Sequence, residues 1–342
     1  NKEGEDVTND LSIMCIQASM HVHLPAPSLS VRVWNGSPHE FLIKAAELTR
    51  TGIGLPAYYN DEVIIPALQN RGLSLEDARD YNIIGCVEPQ KAGKTEGWHD
   101  AAFFNMCRPL ELVFANGMDK GEIVGIPTGD VTQMKSFEEF FDAYKKQMEY
   151  CISLLVNADN AIDVAHAERC PLPFLSCMID DCLKEGRSVQ EGGAVYNFTG
   201  PQGFGIANMA DGLFAIRKLV YEEKKVSMEE FKEALAWNYD KGLDAQSAGD
   251  MTEMIMKAMQ KAGKEADAST AAGLLKTFIG MKPGEQKTQR FKEIHDMIDE
   301  VPKFGNDIPE IDYFAREVAY TYSKPLQNYS NPRGGRFQAG LY

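Results

Sequence analysis

A cysteine and a glutamate two positions apart are the residues of this sequence best suited to chemistry. Cys86 and Glu88 lie in the run Gly85-Cys86-Val87-Glu88-Pro89-Gln90, directly after a short apolar stretch. Gly85 allows a tight backbone turn, and Pro89 stiffens the exit from it. Side chains two positions apart in an extended segment point to the same side. The spacing therefore predicts that both groups face one cavity, although a buried cysteine beside an exposed loop glutamate is the commoner reason for such a pattern.

The carboxylate determines which reactions suit the thiol. A negative charge beside a thiol disfavours the thiolate, so Cys86 next to Glu88 is a poor ionic nucleophile. This argues against a protease-type site of cysteine and histidine. It does not handicap the transfer of single hydrogen atoms, in which the sulfur stays uncharged and the carboxylate is available to accept a proton from the substrate.

Asp100 supplies a second carboxylate close to the first in sequence. Two carboxyl groups in different environments can act as an acid and a base in one reaction. Aspartate is also a preferred first residue of helices, and the sequence predicts a helix from Asp100 through Phe114 that ends near Gly117. Both interpretations of Asp100 stay open at this point.

The segments around these residues predict a mixture of strands and helices. Alternation of Leu29, Val31 and Val33 with polar residues predicts a half-buried strand. The following Ser37-Pro38-His39-Glu40 predicts a capping box and a helix closed by Gly52. Tyr81 to Gly85 predicts a buried strand that leads into Cys86. Further helices are predicted at residues 60–71, after Ser74, from Ser136 past Cys151, and at 173–184, 209–223 and 231–239.

Domain organisation follows from the absence of repeats and linkers. We expect one large α/β domain over residues 1–342, with a helical insertion at about 242–301 that is rich in Ala, Lys, Met and Glu. With 44% hydrophobic residues, a chain of 342 residues can bury a substantial core.

Composition excludes several classes of function. The formal charge of −15 is the wrong sign for gripping nucleic acid, and no apolar run reaches the length of a membrane span. The seven cysteines form no regular disulfide pattern, which favours a reducing, cytoplasmic compartment. His21 and His23 lack a third residue at metal-ligand spacing, so no metal site is predicted.

Several longer runs resemble the glycyl radical enzymes, the group that includes pyruvate formate-lyase. The similarity is greatest to the B12-independent glycerol and 1,2-propanediol dehydratases. The runs that carry it are Gly85 to Gln90, Gly93-Lys94-Thr95-Glu96-Gly97-Trp98-His99-Asp100-Ala101-Ala102-Phe103-Phe104-Asn105, His166-Ala167-Glu168-Arg169, Tyr196-Asn197-Phe198-Thr199-Gly200-Pro201-Gln202-Gly203, Pro302-Lys303-Phe304-Gly305-Asn306-Asp307 and Asn331-Pro332-Arg333-Gly334-Gly335.

The resemblance implies a fold and a role for each candidate residue. The fold would be part of a ten-stranded α/β barrel surrounded by helices, with the cysteine on an inner loop. Cys86 would carry a thiyl radical, Glu88 would be the base on the reacting hydroxyl, and Asp100 would bond and protonate the departing hydroxyl. Tyr342 would line the substrate pocket, with an ordinary core aromatic residue as its alternative.

The resemblance also implies partners and a reaction. The chain would bind no cofactor of its own and would depend on a protein glycyl radical installed by a radical-SAM activating enzyme. It would form a homodimer and dehydrate a small vicinal diol, 1,2-propanediol to propanal or glycerol to 3-hydroxypropanal. The glycine loop Arg-Val-x-Gly-Tyr and the upstream barrel half are not in this sequence. Another glycyl radical C–O, C–N or C–S lyase, or a catalytically incomplete fragment with a binding or structural role, therefore remain as alternatives.

Overall fold

The protein is described by a computed structural model that covers residues 1–85, 88–98, 100–238 and 285–341. The chain divides into two compact units. The first unit comprises Asn1–Phe103, Val156–Gln202 and Leu326–Gly340, and the second comprises Phe104–Leu155, Gly203–Pro325 and Leu341–Tyr342.

The described residues have mixed α/β structure, as predicted. Up to residue 105 the elements are α1 Asp10–Val22, β1 Ser30–Val33, α2 His39–Thr49, β2 Ala57–Asn60, α3 Asp61–Asn70, α4 Leu75–Arg79, β3 Asn82–Ile84, β4 Glu88–Gln90, β5 Thr95–Glu96 and β6 Phe103–Asn105.

The later elements are mostly helical. They are α5 Arg108–Phe114, β7 Met118–Asp119, β8 Glu122–Ile123, α6 Phe137–Arg169, α7 Pro173–Ser176, α8 Cys182–Glu185, β9 Tyr196–Asn197, β10 Gln202–Phe204, α9 Ile206–Ile216, α10 Met228–Ala236, α11 Glu285–Glu300, α12 Pro309–Leu326 and β11 Gly340–Leu341. Among the described residues the largest sheet has three strands, in the order β11-β10-β6.

The predicted strand near residue 31 is confirmed as β1, which pairs in parallel with β2 in the register Val31 to Tyr58. One face of this pair packs on α1 and α2 through a core that includes Ile16, Val31, Phe41 and Leu48. Strand β2 was not predicted from the sequence, because its four residues show no clear alternation of apolar and polar side chains.

The predicted capping box before α2 is wrong. The helix begins at His39, and the N-cap residue Pro38 makes no side-chain cap hydrogen bond. The Ser37 hydroxyl instead accepts a hydrogen bond of 3.0 Å from the backbone N–H of Trp34. A serine hydroxyl can hydrogen-bond to backbone groups before or after it in the chain. In this turn it bonds to a preceding residue and does not cap the helix that follows.

The helix predicted to start at Asp100 is also wrong. Residues Phe103–Asn105 form β6, and the next helix starts only at Arg108, with Cys107 as its N-cap residue. The strand arises because backbone pairing with residues 202–204 outweighs local helical preference, as tertiary context often does. Asp100 is therefore not a helix cap.

In the second unit, the helix predicted from Ser136 is confirmed as the first part of α6. The Ser136 hydroxyl accepts the N–H of Glu139 at 3.3 Å. Phe140, Tyr144 and Met148 recur at helical spacing and are fully buried at 0% exposure. The ring of Phe140 lies 5.6 Å from that of Phe114 of α5, so the stripe forms part of the aromatic core of this unit.

Most of the predicted insertion at 242–301 lies outside the described residues, which resume at α11. This helix contacts α10 through ion pairs: Lys287 lies 2.6 Å from Glu233 and Arg290 lies 3.1 Å from Glu230. Among the helices that the structure describes, none has the length and apolar character needed to cross a bilayer.

Candidate active site

Glu88 is positioned by a tight antiparallel hairpin. Strands β3 and β4 pair in the register Ile84 to Glu88, which leaves only residues 85–87 for the turn. Gly85 opens this turn with a φ of +61°, a conformation that favours glycine. The predicted strand is thus confirmed, but it is not buried, because Ile84 is 46% exposed. Cys86 and Val87 lie outside the part of the chain that the structure describes.

The carboxylate of Glu88 lies against the backbone of the turn. Glu88 is only 5% exposed. A Cβ placed on Gly85 would lie 2.6 Å from Glu88 Oε2, a separation that real side chains do not tolerate. Any other residue at position 85 would strain the backbone angle and would displace the end of the Glu88 side chain from its present position.

Asp100 lies in a loop that is fixed on both sides by parallel backbone pairing. Strand β5 pairs in parallel with β9, and the pairing continues beyond both strands. The N–H of Gly200 donates to the carbonyl of Trp98 at 3.0 Å, and the N–H of Gln202 donates to the carbonyl of Ala102 at 2.8 Å. Asp100 itself is exposed in this structure. Its loop is anchored two residues before and two residues after the carboxylate.

Gln202 brings the two predicted carboxylates together. This residue is fully buried at 0% exposure. Its side-chain nitrogen Nε2 donates hydrogen bonds to Oε1 of Glu88 and to Oδ1 of Asp100. The sequence predicted that Glu88 and Asp100 could work as a pair, and the structure places both on one amide.

No role for Gln202 was predicted from the sequence, although it lies in one of the runs that carry the family resemblance. An amide does not titrate, so Gln202 is not a candidate acid or base. The only sequence signal for Gln202 is its place in a run rich in Gly and Pro, Gly200-Pro201-Gln202-Gly203-Phe204-Gly205. In the structure Gln202 begins strand β10, which was not predicted from the sequence.

A second buried cluster holds the strands that carry these residues. Arg333 is 4% exposed and contacts Asp163 of α6, with its Nε 2.9 Å from Oδ2. The same guanidinium donates to the carbonyls of Glu96 and Phe198 and to the hydroxyl of Thr199. The guanidinium of Arg333 thus connects the two paired segments, the one that contains β5 and the one that contains β9. Burial, with the negative charge of Asp163 adding to it, raises the pKa of Glu96.

Trp98 packs against the long helix α6. The rings of Trp98 and His166 of α6 meet edge to face, with centroids 5.5 Å apart. Trp98 has a φ of +31°, which is uncommon for a large side chain. Strain of this kind clusters near functional sites, and here it lies two positions before Asp100.

Two predicted site residues cannot be placed by the structure. Cys86 and Tyr342 lie outside the described residues, as does His99. Their predicted roles, the thiyl radical for Cys86 and the substrate pocket for Tyr342, stay predictions.

Comparison with known proteins decides the family. A model of the "PFL-like: Pyruvate formate lyase-like" family matches residues 1–342. The chain belongs to this family. The predicted resemblance is thereby confirmed.

Solved structures of family members resemble this chain over its whole length. One, which concerns 1,2-propanediol dehydration in Roseburia inulinivorans, is 62% identical with a TM-score of 0.90, and this chain covers 41% of it. The glycerol-bound B12-independent glycerol dehydratase from Clostridium butyricum is 50% identical with a TM-score of 0.77, and 37% of it is covered.

A curated relative is similar over a shorter stretch. The (2S)-3-sulfopropanediol dehydratase of Klebsiella oxytoca is 39% identical over 241 residues, which are 70% of this chain and 29% of the relative. The chain thus spans well under half the length of the relatives it matches.

Proposed function

We propose that this chain is the portion of a glycyl radical diol dehydratase that carries the radical cysteine and an acid–base pair of carboxylates. The observation that carries the proposal is the meeting of Glu88 and Asp100 on the amide of Gln202. Membership of the pyruvate formate lyase-like family and the 62% identity to the structure concerned with 1,2-propanediol dehydration support it.

The proposed reaction begins at the sulfur of Cys86. Its thiyl radical removes a hydrogen atom from C1 of the diol, which forms an S–H bond and leaves an unpaired electron on C1. Glu88 then takes the proton of the C1 hydroxyl. The negative charge that develops on this oxygen helps to break the bond between C2 and its hydroxyl.

The departing hydroxyl needs a proton, and Asp100 supplies it, so that water leaves. The radical, now on C2 beside a C1 carbonyl, takes the hydrogen atom back from Cys86. The products are one aldehyde and one water, and the thiyl radical is restored. Glu88 ends with the proton that Asp100 has lost, so a proton must return from one to the other before the next turnover.

The proposal extends to the whole protein. The chain would be an internal part of one ten-stranded barrel domain, with Tyr342 on the wall of the substrate pocket. A radical-SAM activating enzyme would install the glycyl radical, and the protein would act as a homodimer in the cytoplasm.

We propose 1,2-propanediol ahead of glycerol as the substrate. This order follows the identities, 62% to the structure concerned with 1,2-propanediol and 50% to the glycerol dehydratase. A different glycyl radical lyase remains the second candidate, because the sulfopropanediol dehydratase is 39% identical to this chain.

Product analysis tests the proposal. The full-length protein is activated under anaerobic conditions by its radical-SAM partner and supplied with each diol. We expect propanal from 1,2-propanediol and slower formation of 3-hydroxypropanal from glycerol. Failure to form either aldehyde, while electron paramagnetic resonance shows the glycyl radical, would contradict the proposal.

A pair of cysteine variants controls for general damage. Cys86→Ser should form no aldehyde although the glycyl radical is installed. Cys177→Ser alters an exposed cysteine of the first unit and should keep the activity of the wild type. Aldehyde formation by Cys86→Ser would contradict the assignment of the radical to this sulfur.

A further inference from the structure

A neutral amide joins the two carboxylates of the candidate site. Gln202 Nε2 carries two N–H groups, and the structure directs the nitrogen at Glu88 Oε1 and at Asp100 Oδ1. Each N–H···O bond spans about 3 Å, so two oxygens that share one nitrogen lie within about 6 Å of each other. That separation suits two groups that act on neighbouring hydroxyls of one small molecule.

The position of this amide is set by the backbone around it. The N–H of Gln202 donates to the carbonyl of Ala102 at 2.8 Å, and the carbonyl of Pro201 accepts from Gly340 at 3.2 Å. A Cβ on Gly340 would lie 3.3 Å from Gln202 Cγ, so the backbone of Gly340 closely borders the side chain. The Gln202 side chain is thus fully buried, with the Gly340 backbone along one side of it.

We propose that Gln202 is a positioning residue that holds Glu88 and Asp100 as one acid–base pair. The inference rests on the proposed function and adds to it a residue that does not itself react. Gln202 would fix the distance between the two carboxyl groups and the direction in which each presents its second oxygen.

The chemistry of the amide explains why glutamine suits this position. A lysine or arginine would pair with the carboxylates and lower their tendency to accept a proton. A glutamate would add a third negative charge next to two others. A methionine of similar length would remove this donor from both carboxylates, which is costly for the buried charge of Glu88.

The two N–H groups also match the movement of charge in the proposed reaction. Glu88 begins ionised and gains a proton, whereas Asp100 begins protonated and loses one. Hydrogen bonds to an ionised carboxylate are roughly twice as strong as those to a neutral group. The amide therefore keeps one strong bond before and after the transfer, first to Glu88 and then to Asp100, without any rearrangement.

Gln202→Met in the full-length, activated protein tests the inference. We expect the glycyl radical signal to be unchanged and kcat to fall about 10- to 100-fold, the equivalent of losing a hydrogen bond to a charged group. The pH dependence of kcat should also shift, since both carboxyl groups lose a donor that favours their ionised forms. A loss of folding alone would lower activity at every pH without changing the profile.

Gln147→Met is the matched control. Gln147 is also fully buried, and its side chain bonds both the N–H and the carbonyl of Ile126 in the second unit. This variant should lower the melting temperature but leave the pH profile of kcat as in the wild type. The inference is overturned if Gln202→Met keeps the kcat and pH profile of the wild type, or if Gln147→Met shifts the profile equally.

Two further variants cover a failure of Gln202→Met to fold. Gln202→Asn keeps the amide but is one methylene shorter, and Gln202→Glu donates only when it is protonated. We expect a reduced kcat in both, with Gln202→Glu recovering towards acidic pH; wild-type kcat in both would refute the inference. These outcomes differ from a failure of the proposed function, in which the wild type itself would form no aldehyde.

Discussion

Two polar clusters of the first unit, each centred on a buried side chain, Arg333 or Gln202, hold their carboxylates by opposite means. In the Arg333 cluster, a guanidinium lies 2.9 Å from Asp163 and also bonds two carbonyls. In the Gln202 cluster, the neutral amide of Gln202 donates to Glu88 and Asp100. Both clusters attach to the same parallel pairing of residues 94–102 with residues 196–202.

The cation of Arg333 and the neutral amide of Gln202 affect a neighbouring carboxylate in different ways. A cation that pairs with a buried carboxylate offsets the cost of burying the charge, and it also suppresses proton uptake. A neutral amide orients a carboxylate without cancelling its charge. We therefore propose that Arg333 and Asp163 serve stability, and that Glu88, Asp100 and Gln202 serve the chemistry.

The largest predicted effect concerns Glu88, and it tests whether the Gln202 cluster takes part in the chemistry. Glu88→Gln keeps the shape of the side chain but removes the base, so kcat should fall by about 100- to 10,000-fold. The melting temperature should change little. Steady-state kinetics and thermal unfolding of the full-length protein measure both quantities. Activity near that of the wild type would remove Glu88 from the chemistry.

Loss of the paired cation should have the reverse effect. Arg333→Met leaves Asp163 buried without its partner and should lower the free energy of unfolding by about 3 to 5 kcal/mol. Molecules that remain folded should turn over with near-normal kcat.

A double variant sharpens this result. Because Arg333→Met with Asp163→Leu removes both charges, it should be less destabilised than the sum of the single variants. Urea denaturation measures the three free energies. Additive losses would show that the two side chains do not interact.

A pair of glycine variants compares the turn at Glu88 with a turn elsewhere. Gly85→Ala forces the carboxylate of Glu88 to move, because the new Cβ would lie 2.6 Å from its oxygen. Gly93 also has a positive φ, +72°, but no heavy atom lies within 4 Å of a Cβ placed there.

Both glycine variants should lose about 1 to 2 kcal/mol of stability from the backbone angle. Only Gly85→Ala should also lower kcat, by about 10-fold for a displaced catalytic group. An equal kcat in both variants would show that the contact with Glu88 has no functional role.

The smallest effect concerns a carboxylate beside the Arg333 cluster. Burial, with the charge of Asp163 adding to it, raises the pKa of Asp159 to about 6. A raised pKa means that the native state binds the proton more tightly than the unfolded state. The contribution to stability is therefore present at acidic pH and is lost as the pH rises from about 4 to about 6.

Asp159→Asn removes this charge. At neutral pH it should stabilise the protein by about 1 to 2 kcal/mol, allowing for screening by solvent, with no gain below about pH 4. Asp142→Asn on the exposed face of α6 is the control and should change stability by less than about 0.5 kcal/mol. Urea denaturation at both pH values measures the gain. A gain of the same size at both would contradict the proposed titration.

The sequence predicted the elements that depend on local signals. The strand before Cys86 and the helix from Ser136 are confirmed, because apolar spacing and side-chain caps act within a few residues. Strands β5 and β9 have two residues each, which is too short to show a period, so the pairing that anchors Asp100 was not predicted.

The candidate site shows the same limit. Glu88 and Asp100 were found by their chemistry, but Gln202 lies 114 and 102 positions away from them in the sequence. Only the folded backbone brings the amide to both carboxylates. The prediction of a helix at Asp100 was wrong for a related reason. Residues 103–105 pair with a strand that is distant in sequence.

A crystal structure of the full-length protein with 1,2-propanediol tests the central claim most directly. We predict that the Glu88 carboxylate accepts a hydrogen bond from the C1 hydroxyl and that Asp100 contacts the C2 hydroxyl, each within about 2.6 to 3.2 Å. The Gln202 amide should be hydrogen-bonded to both carboxylates. A diol bound away from these carboxylates, or an amide that bonds neither of them, would contradict the account.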